Sequence, residues 1–269
     1  MKLKDTFFAV LALTIAITAS AQTQSTPAGK TYHQMSRVER SQFVASQAQR
    51  IARELSGRKY EFTPAFIEDI QQSLNHYTRR IGADRETNKT DLRVVIERGQ
   101  AQAPALIAAF KSRNVSPLIG LYIPWIESEY VNLSSPNAVG AIGMFQFLPK
   151  TGERYGLTPE DLLDVNKSAD AAARYIADSM TTFNNDPMKE LLALLSYNRG
   201  TQKTAADVKL LVNDSNRDCS VCALNADRAR LDATFQNESV YYVPLFFAAA
   251  IIGENPQAFG FNAQPLSAR

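Results

Sequence analysis

The chain has 269 residues, of which 45% are hydrophobic and 21% are charged, and its formal net charge is +2. These values are typical of a globular protein with a sizeable core and exclude a largely disordered chain. The near balance of charge gives no electrostatic footprint for nucleic acid, so we expect no nucleic-acid partner.

The first 21 residues have the pattern of a secretory signal peptide. Lys2 and Lys4 make a basic start, residues 7–19 are an apolar run, and Ala19-Ser20-Ala21 is a small-x-small cleavage site. The apolar run is too short for a comfortable membrane span, and no later stretch reaches that length. We therefore predict cleavage near Ala21, a periplasmic protein, and no integral membrane segment in the mature chain.

Residues 22–112 predict a cap of helices in front of the rest of the chain. Apolar residues recur at helical spacing after a polar stretch at 22–31, and proline and glycine mark where helices begin and end. The first predicted helix runs from about Gln34 to Leu55 and ends before Gly57, and the second begins at Thr63-Pro64 and ends at Gly82. A third is predicted to begin near Thr90-Asp91 and a fourth at Pro104.

The next helix is apolar on nearly every face. Ser116 and Pro117 suit its N-cap and first helical position, and residues 118–126 are mostly apolar, which predicts a helix buried all round. Glu127 stands at its end. A carboxylate there is costly unless it is paired or keeps its proton, and the negative end of the helix dipole also favours the protonated form. A general acid needs such a group, although a glutamate at a helix end is more often simply solvated.

The segment after this helix suits a sugar ligand. Residues 134–137 form a turn cluster and residues 140–143 are small, with two glycines that let a backbone approach a ligand closely. Residues 144–147 are apolar apart from the amide of Gln146. An amide beside aromatic rings suits the hydroxyl edges and C–H faces of a sugar.

These residues resemble the signature of the soluble lytic transglycosylases. The resemblance is carried by Ile126-Glu127-Ser128-x-Tyr130, by Ser135-Pro136, and by residues 140–149 with Thr151. It implies a mainly α, lysozyme-like catalytic domain with a small β-hairpin or none. It also implies that Glu127 is the sole catalytic acid and base.

Two later segments extend the resemblance. Tyr197-Asn198-Arg199-Gly200 is similar to the A-Y-N-A-G motif of the family, with Arg199 in place of a small residue, which leaves the shape of the groove open. Taken by itself, Tyr197 is equally well explained as an aromatic residue at a helix end whose hydroxyl is partly exposed to solvent. Residues 238–244, E-x-x-x-Y-V-P, are similar to the membrane-bound D-type enzymes, whose LysM wall-binding repeats are missing from this sequence.

The remaining helices are also marked by caps and breakers. Residues 203–236 look like an insertion with one or two short helices. The other predicted features are a turn from Thr158-Pro159 to Leu163, a helix capped by Ser168, and a helix from Asp186-Pro187 to Gly200.

The insertion contains the only two cysteines, Cys219 and Cys222. Oxidising conditions after export favour a local disulfide, and free thiols are the alternative. A zinc site needs more ligands, and His33 and His76 are far away in the sequence. We expect no metal and no cofactor.

The sequence therefore predicts a signal peptide at 1–21, a helical region at 22–112, a transglycosylase domain at 113–261 and a tail at 262–269. The resemblance implies cleavage of the MurNAc-β-1,4-GlcNAc bond of peptidoglycan strands, with a 1,6-anhydroMurNAc product and Glu127 as acid and then base. The residues predicted to hold the sugars or orient the acid are Ser135, Met144, Gln146, Tyr197, Asn198 and Tyr242. Alternatives are a goose-type lysozyme-like hydrolase and a non-catalytic peptidoglycan-binding or scaffold protein of a secretion apparatus, and a partner in an envelope machine stays open.

Overall fold

The computed structural model describes residues 29–82 and 90–268, so the predicted signal peptide lies outside the described residues. Within those ranges the chain forms eleven α-helices, and its one β pairing is an isolated antiparallel bridge between Ile142 and Phe147. The mainly α prediction, with a small β-hairpin or none, is confirmed. The helices are α1 (Arg37–Ser56), α2 (Pro64–Thr78), α3 (Leu92–Ser112), α4 (Pro117–Ser128), α5 (Pro149–Glu153), α6 (Val165–Thr182), α7 (Lys189–Arg199), α8 (Thr201–Leu211), α9 (Ser220–Ala226), α10 (Ala233–Asn237) and α11 (Tyr242–Glu254).

The first two helices begin at the residues that suit a helix start. Ser36 and Glu39 form a capping box at α1, each side chain accepting a hydrogen bond from the other residue's backbone N–H. Gly57 ends α1 in the left-handed conformation, with φ of 70°. The hydroxyl of Thr63 caps α2 in the same way as Ser36 caps α1. Local chemistry therefore sets these boundaries. The sequence predicts Gly57 and Thr63 correctly, but it places the start of α1 near Gln34 and not after Ser36.

Pro104 does not begin a new helix, which corrects the prediction. It lies inside α3, which runs without interruption from Leu92 to Ser112. The proline removes one helical hydrogen bond. Its ring is on the exposed side of α3, while Leu106 and Phe110 are fully buried on the other side. The packing of this continuous apolar stripe outweighs the one hydrogen bond that is lost.

Three other boundaries differ from the predicted ones. The helix α2 ends at Thr78, before the expected Gly82. The helix α6 is capped by Asp164, which accepts hydrogen bonds from two backbone N–H groups of the first turn, so Ser168 is buried inside the helix and is not its cap. A carboxylate at this position also interacts favourably with the helix dipole. The helix α7 begins at Lys189, shortly after Asp186-Pro187.

The helix α4 lies at the centre of the fold, between α3 on one side and α11 on the other. Leu121, Tyr122, Ile123 and Trp125 are all fully buried. The side chains of α11 are buried nearly throughout, and this helix packs on α2 as well as on α4. No helix in the described ranges combines the length and the apolar character needed to cross a bilayer. The C-terminal end of α4 is thus held by core packing on several sides.

The segment between α7 and α11 is more ordered than the sequence predicted. It contains three α-helices, α8 to α10, where one or two were expected. Cys219 and Cys222 form a disulfide, which decides between the two interpretations of this pair. The sulfur of Cys222 accepts a hydrogen bond from the backbone N–H of Thr63 at 3.5 Å. The segment is therefore attached to the start of α2.

The C-terminal residues pack against the core. Leu266 is fully buried, and the backbone N–H of Ser267 donates to the carboxylate of Glu254 at 3.2 Å. The hydroxyl of Tyr122 donates to the same carboxylate at 2.5 Å. The last 3₁₀ turn, Leu266–Ala268, is thereby joined to both α4 and α11.

The close approach of α3 and α4 generates a prediction. A Cβ atom on Gly120 would lie 2.3 Å from the ring of Phe110. We expect Gly120→Ala to lower the free energy of unfolding by about 1–3 kcal/mol, because overpacking outweighs the better helix propensity of alanine. Denaturant unfolding measures this. Phe110→Leu should relieve part of the clash, so the double variant should lose less stability than the sum of the two single variants. Unchanged stability in Gly120→Ala would contradict the packing.

Candidate active site

Glu127 lies in the last turn of α4, at the edge of the buried core. Its side chain is partly buried, and its Oε1 accepts a hydrogen bond of 2.7 Å from the hydroxyl of Tyr242. Tyr242 is the first residue of α11 and is 4% exposed. The contact joins the end of one central helix to the start of another.

The surroundings of Glu127 set its protonation. Burial raises the pKa of its carboxyl from an ordinary value of 4.5 to about 7, and the hydrogen bond from Tyr242 opposes part of that rise. Burial, and then the charge of Glu127, raise the pKa of Tyr242 well above its usual value. Tyr242 therefore stays protonated and donates. A carboxyl with a pKa near neutrality can both give and take a proton at physiological pH.

The chain turns sharply directly after α4. Glu129 and Tyr130 have φ values of 53° and 61°, a left-handed conformation that is uncommon for residues other than glycine. The carboxylate of Glu129 pairs with Arg80 at 2.6 Å, and the hydroxyl of Tyr130 donates to the Leu121 carbonyl at 2.7 Å. These contacts hold the strained turn and direct Glu129 toward Arg80, so that Glu127 is the acid left at the end of the helix.

The loop after the turn is bonded back to α4 through the backbone of Met144. The hydroxyl of Ser128 donates to the Met144 carbonyl at 2.7 Å, and the Met144 N–H donates to the side chain of Asn132 at 3.1 Å. The Met144 side chain is 1% exposed and packs in the core. The structure thus gives the Met144 backbone a supporting role at Ser128, the residue after the acid, and its predicted contact with substrate stays a prediction.

Gln146 uses its amide to close the same loop. Its Nε2 donates to the Gly143 carbonyl at 2.8 Å, and its Oε1 accepts from Asn137 at 3.2 Å. Its own backbone is left-handed, with φ of 49°. Ser135 lies exposed on this loop. The sugar contacts predicted for Gln146 and Ser135 stay predictions.

Tyr197 and Asn198 lie at the end of α7, and Tyr197 contacts the loop that follows α4. The hydroxyl of Tyr197 donates to the Phe145 carbonyl at 2.8 Å, and its pKa is raised by burial and further by the charge of Glu127. Asn198 is exposed, and its Oδ1 accepts from the hydroxyl of Ser239 at 2.7 Å. Tyr197 is thus within electrostatic reach of the acid, while Asn198 contacts the segment that leads to Tyr242.

Arg199, the residue that departs from the family motif, is buried. Its guanidinium pairs with Asp207 in α8 and with Asp232 just before α10. A cavity of about 370 Å³ lies next to it, and Tyr175 in its wall contacts the ring of Tyr197 edge-on, with ring centroids 5.5 Å apart. The lining residues of this cavity are Thr151, Arg154, Tyr175 and residues 199–203.

Two supporting residues carried no recognisable signal for their role. Ser128 belongs to the signature, but its bond to Met144 depends on a turn that the sequence does not reveal. Ser239 is 41 residues from its partner Asn198. Among residues 29–82 and 90–268, no group of three histidine, cysteine or acidic side chains is arranged to hold a metal ion.

Comparison with known families identifies a domain in this part of the chain. Residues 104–217 match the family model described as "Transglycosylase SLT domain". The match begins inside α3 and includes α4, the signature loop and Tyr197-Asn198, whereas Tyr242 lies beyond it. The chain therefore carries an SLT transglycosylase domain over these residues, and members of that domain family are lytic transglycosylases, lyases that act on peptidoglycan. Its mainly α architecture is that of a lysozyme-like SLT domain. No curated protein sequence matches the chain.

The raised pKa of Glu127 predicts a pH-dependent cost to stability. The folded protein holds this proton more tightly than the unfolded chain, so the ionised carboxyl destabilises the fold as pH rises from about 4.5 to about 7. We expect Glu127→Gln to raise the free energy of unfolding by about 2–3 kcal/mol above neutral pH and to give little gain below pH of about 4.5. Denaturant unfolding at both pH values measures the difference.

The control for this prediction is Glu153→Gln, because Glu153 is an exposed acid in α5. We expect no pH-dependent gain in stability for that variant. An equal gain for Glu127→Gln above neutral pH and below pH of about 4.5 would show that burial does not keep the carboxyl protonated.

Proposed function

We propose that this transglycosylase cleaves the β-1,4 bond between N-acetylmuramic acid and N-acetylglucosamine with Glu127 as its single acid and base. The observation that carries the proposal is the isolation of this carboxyl. Among the described residues, burial and the hydroxyl of Tyr242 account for the pKa shift of Glu127, and no neighbouring carboxylate contributes to it. Hydrolytic glycosidases generally use two carboxylates, and Glu129 is occupied by Arg80.

A single acid is sufficient when the sugar supplies its own nucleophile. Protonated Glu127 gives its proton to the glycosidic oxygen, the bond from that oxygen to C1 of the muramoyl unit breaks, and N-acetylglucosamine leaves with a free 4-hydroxyl. The carboxylate then takes the proton of the C6 hydroxyl of the same muramoyl unit, and that oxygen bonds to C1. The product is a 1,6-anhydro sugar, Glu127 is protonated again, and no water is consumed.

Tyr242 suits the intermediate stage of this sequence. Its hydroxyl donates to the Glu127 carboxyl, so the bond is strongest when the carboxyl is charged, after the first proton transfer. In this proposal Ser135, Gln146, Tyr197 and Asn198 offer hydroxyl and amide groups to the glycan. Which of them contacts the sugars is part of the proposal and rests on the family resemblance.

The test is digestion of purified cell-wall sacculi followed by mass spectrometry of the fragments. Glu127→Gln should reduce fragment release by about 10²-fold or more, because general acid–base catalysis is lost while the amide can still accept from Tyr242. Glu153→Gln is the matched control and should keep wild-type activity. An active Glu127→Gln variant would refute the assignment.

The masses also separate the proposal from its alternatives. The anhydro product is lighter by one water molecule than the reducing end that a goose-type lysozyme-like hydrolase releases. Binding to sacculi without any released fragment would instead identify a non-catalytic wall-binding or scaffold protein.

We propose further that the protein is exported to the periplasm. The support is the small-x-small site that ends at Ala21, together with the disulfide between Cys219 and Cys222, which suits an oxidising compartment. Intact mass measurement on the periplasmic fraction should find a chain that begins at Gln22. Ala21→Asp should block this cleavage. A reduced protein that retains its first 21 residues and stays in the cytoplasm would contradict the proposal.

A further inference from the structure

The charged cluster around Arg199 lies outside the catalytic contacts described above. Its guanidinium is 3% exposed and makes two ion pairs, from Nε to Asp207 at 2.9 Å and from Nη1 to Asp232 at 2.7 Å. It also lies over the ring of Phe235, 5.6 Å from the centroid. A buried charge with this many partners is costly to disturb, and its geometry is well defined.

The cluster joins two segments that each contribute to the site. Arg199 follows Asn198 at the end of α7, and Asp232 immediately precedes α10 and caps it by accepting from the Phe235 N–H at 2.9 Å. Asn198 itself accepts from the hydroxyl of Ser239 at 2.7 Å. Two consecutive residues of α7 therefore hold two points of the segment 232–239, and Tyr242 follows that segment by three residues.

We propose that Arg199 is a positioning residue for the reaction: through Asp232 it fixes the segment that precedes α11 and so places the hydroxyl of Tyr242 on Glu127. Arg199 acts through Tyr242 and touches neither Glu127 nor the sugar. The proposal rests on the proposed role of Glu127 and extends it to a residue at which the chain departs from the family motif.

Charged and titratable groups surround both Glu127 and Arg199. Tyr242 from α11, Tyr197 from α7 and Tyr77 from α2 interact with the charge of Glu127. Around Arg199 the acids are Asp207 and Asp232, and Lys203 acts on Asp232. With Tyr242 in place, its hydrogen bond lowers the pKa of Glu127, so displacing Tyr242 raises that pKa and moves the alkaline limb of the rate profile to higher pH.

The experiment compares Arg199→Met, Tyr242→Phe and the double variant on soluble glycan strands. We expect Arg199→Met to lower kcat by about 10- to 100-fold with a much smaller change in KM, because the Tyr242 hydroxyl no longer orients the acid while the sugar contacts remain. The alkaline limb of the rate profile of Arg199→Met should move to higher pH, as in Tyr242→Phe. The double variant should show no additional shift. An unmoved limb in Arg199→Met, or shifts that add, would overturn the proposal.

A second variant decides the matter if Arg199→Met does not fold. Asp232→Asn removes one ion pair at a side chain that is 50% exposed, and asparagine still caps α10. It should shift the limb in the same direction by a smaller amount, and a wild-type limb would count against the proposal. Arg113→Met, which breaks an exposed pair with Asp170, is the matched control and should behave as wild type.

A measurement that does not need activity separates this proposal from the proposed function. Carbon-13 labelling of the glutamate carboxyls allows the pKa of Glu127 to be followed by NMR, with Glu127→Gln assigning its signal. An active Glu127→Gln variant would refute the catalytic assignment, whereas an upward pKa shift in Arg199→Met would still support the positioning role. An unchanged pKa would refute the positioning role alone.

Discussion

The site depends on one hydrogen bond placed at the edge of the core, from the hydroxyl of Tyr242 to the carboxyl of Glu127 at 2.7 Å. Burial favours the protonated acid and the hydrogen bond favours the charged one, and the two effects bring the pKa to about 7. Deeper burial would leave the acid unable to release its proton, and full exposure would leave it ionised. The last turn of α4 is where a side chain meets both conditions, because the core covers one side and the other side is open.

The two partners are 115 residues apart in the chain, and much of the fold serves to bring them together. The helices α4 and α11 pack directly on one another, which sets the distance between their axes. The position of Tyr242 along that interface needs further contacts, and the segment between α7 and α11 supplies them. It is attached to α2 through Cys222 and to α7 through Arg199 and Asn198.

Several signature residues contribute to the site by shaping the backbone. Glu129, Tyr130 and Gln146 all adopt left-handed conformations that cost free energy, and each is held by a specific side-chain contact. Ser128 and Gln146 bond to backbone carbonyls of the loop. The signature thus encodes a strained turn and a closed loop. Together they hold Glu129 on Arg80 and leave Glu127 as the acid at the end of α4. This explains why the amide of Gln146, which suits a sugar, also makes hydrogen bonds to Gly143 and Asn137 within the protein.

The sequence by itself determined local features: the end of α1 at Gly57, the cap of α2 at Thr63, the buried character of α4, and the position of Glu127 at its end. These depend on neighbours within a few residues, whose chemistry is visible in the chain. The tertiary structure alone decided that α3 continues through Pro104, that Arg199 turns toward two aspartates, and that Tyr242 and Ser239 reach Glu127 and Asn198. Those outcomes depend on packing and ion pairs between residues far apart in sequence, and such contacts leave no local pattern because their free energy exists only once the helices have assembled.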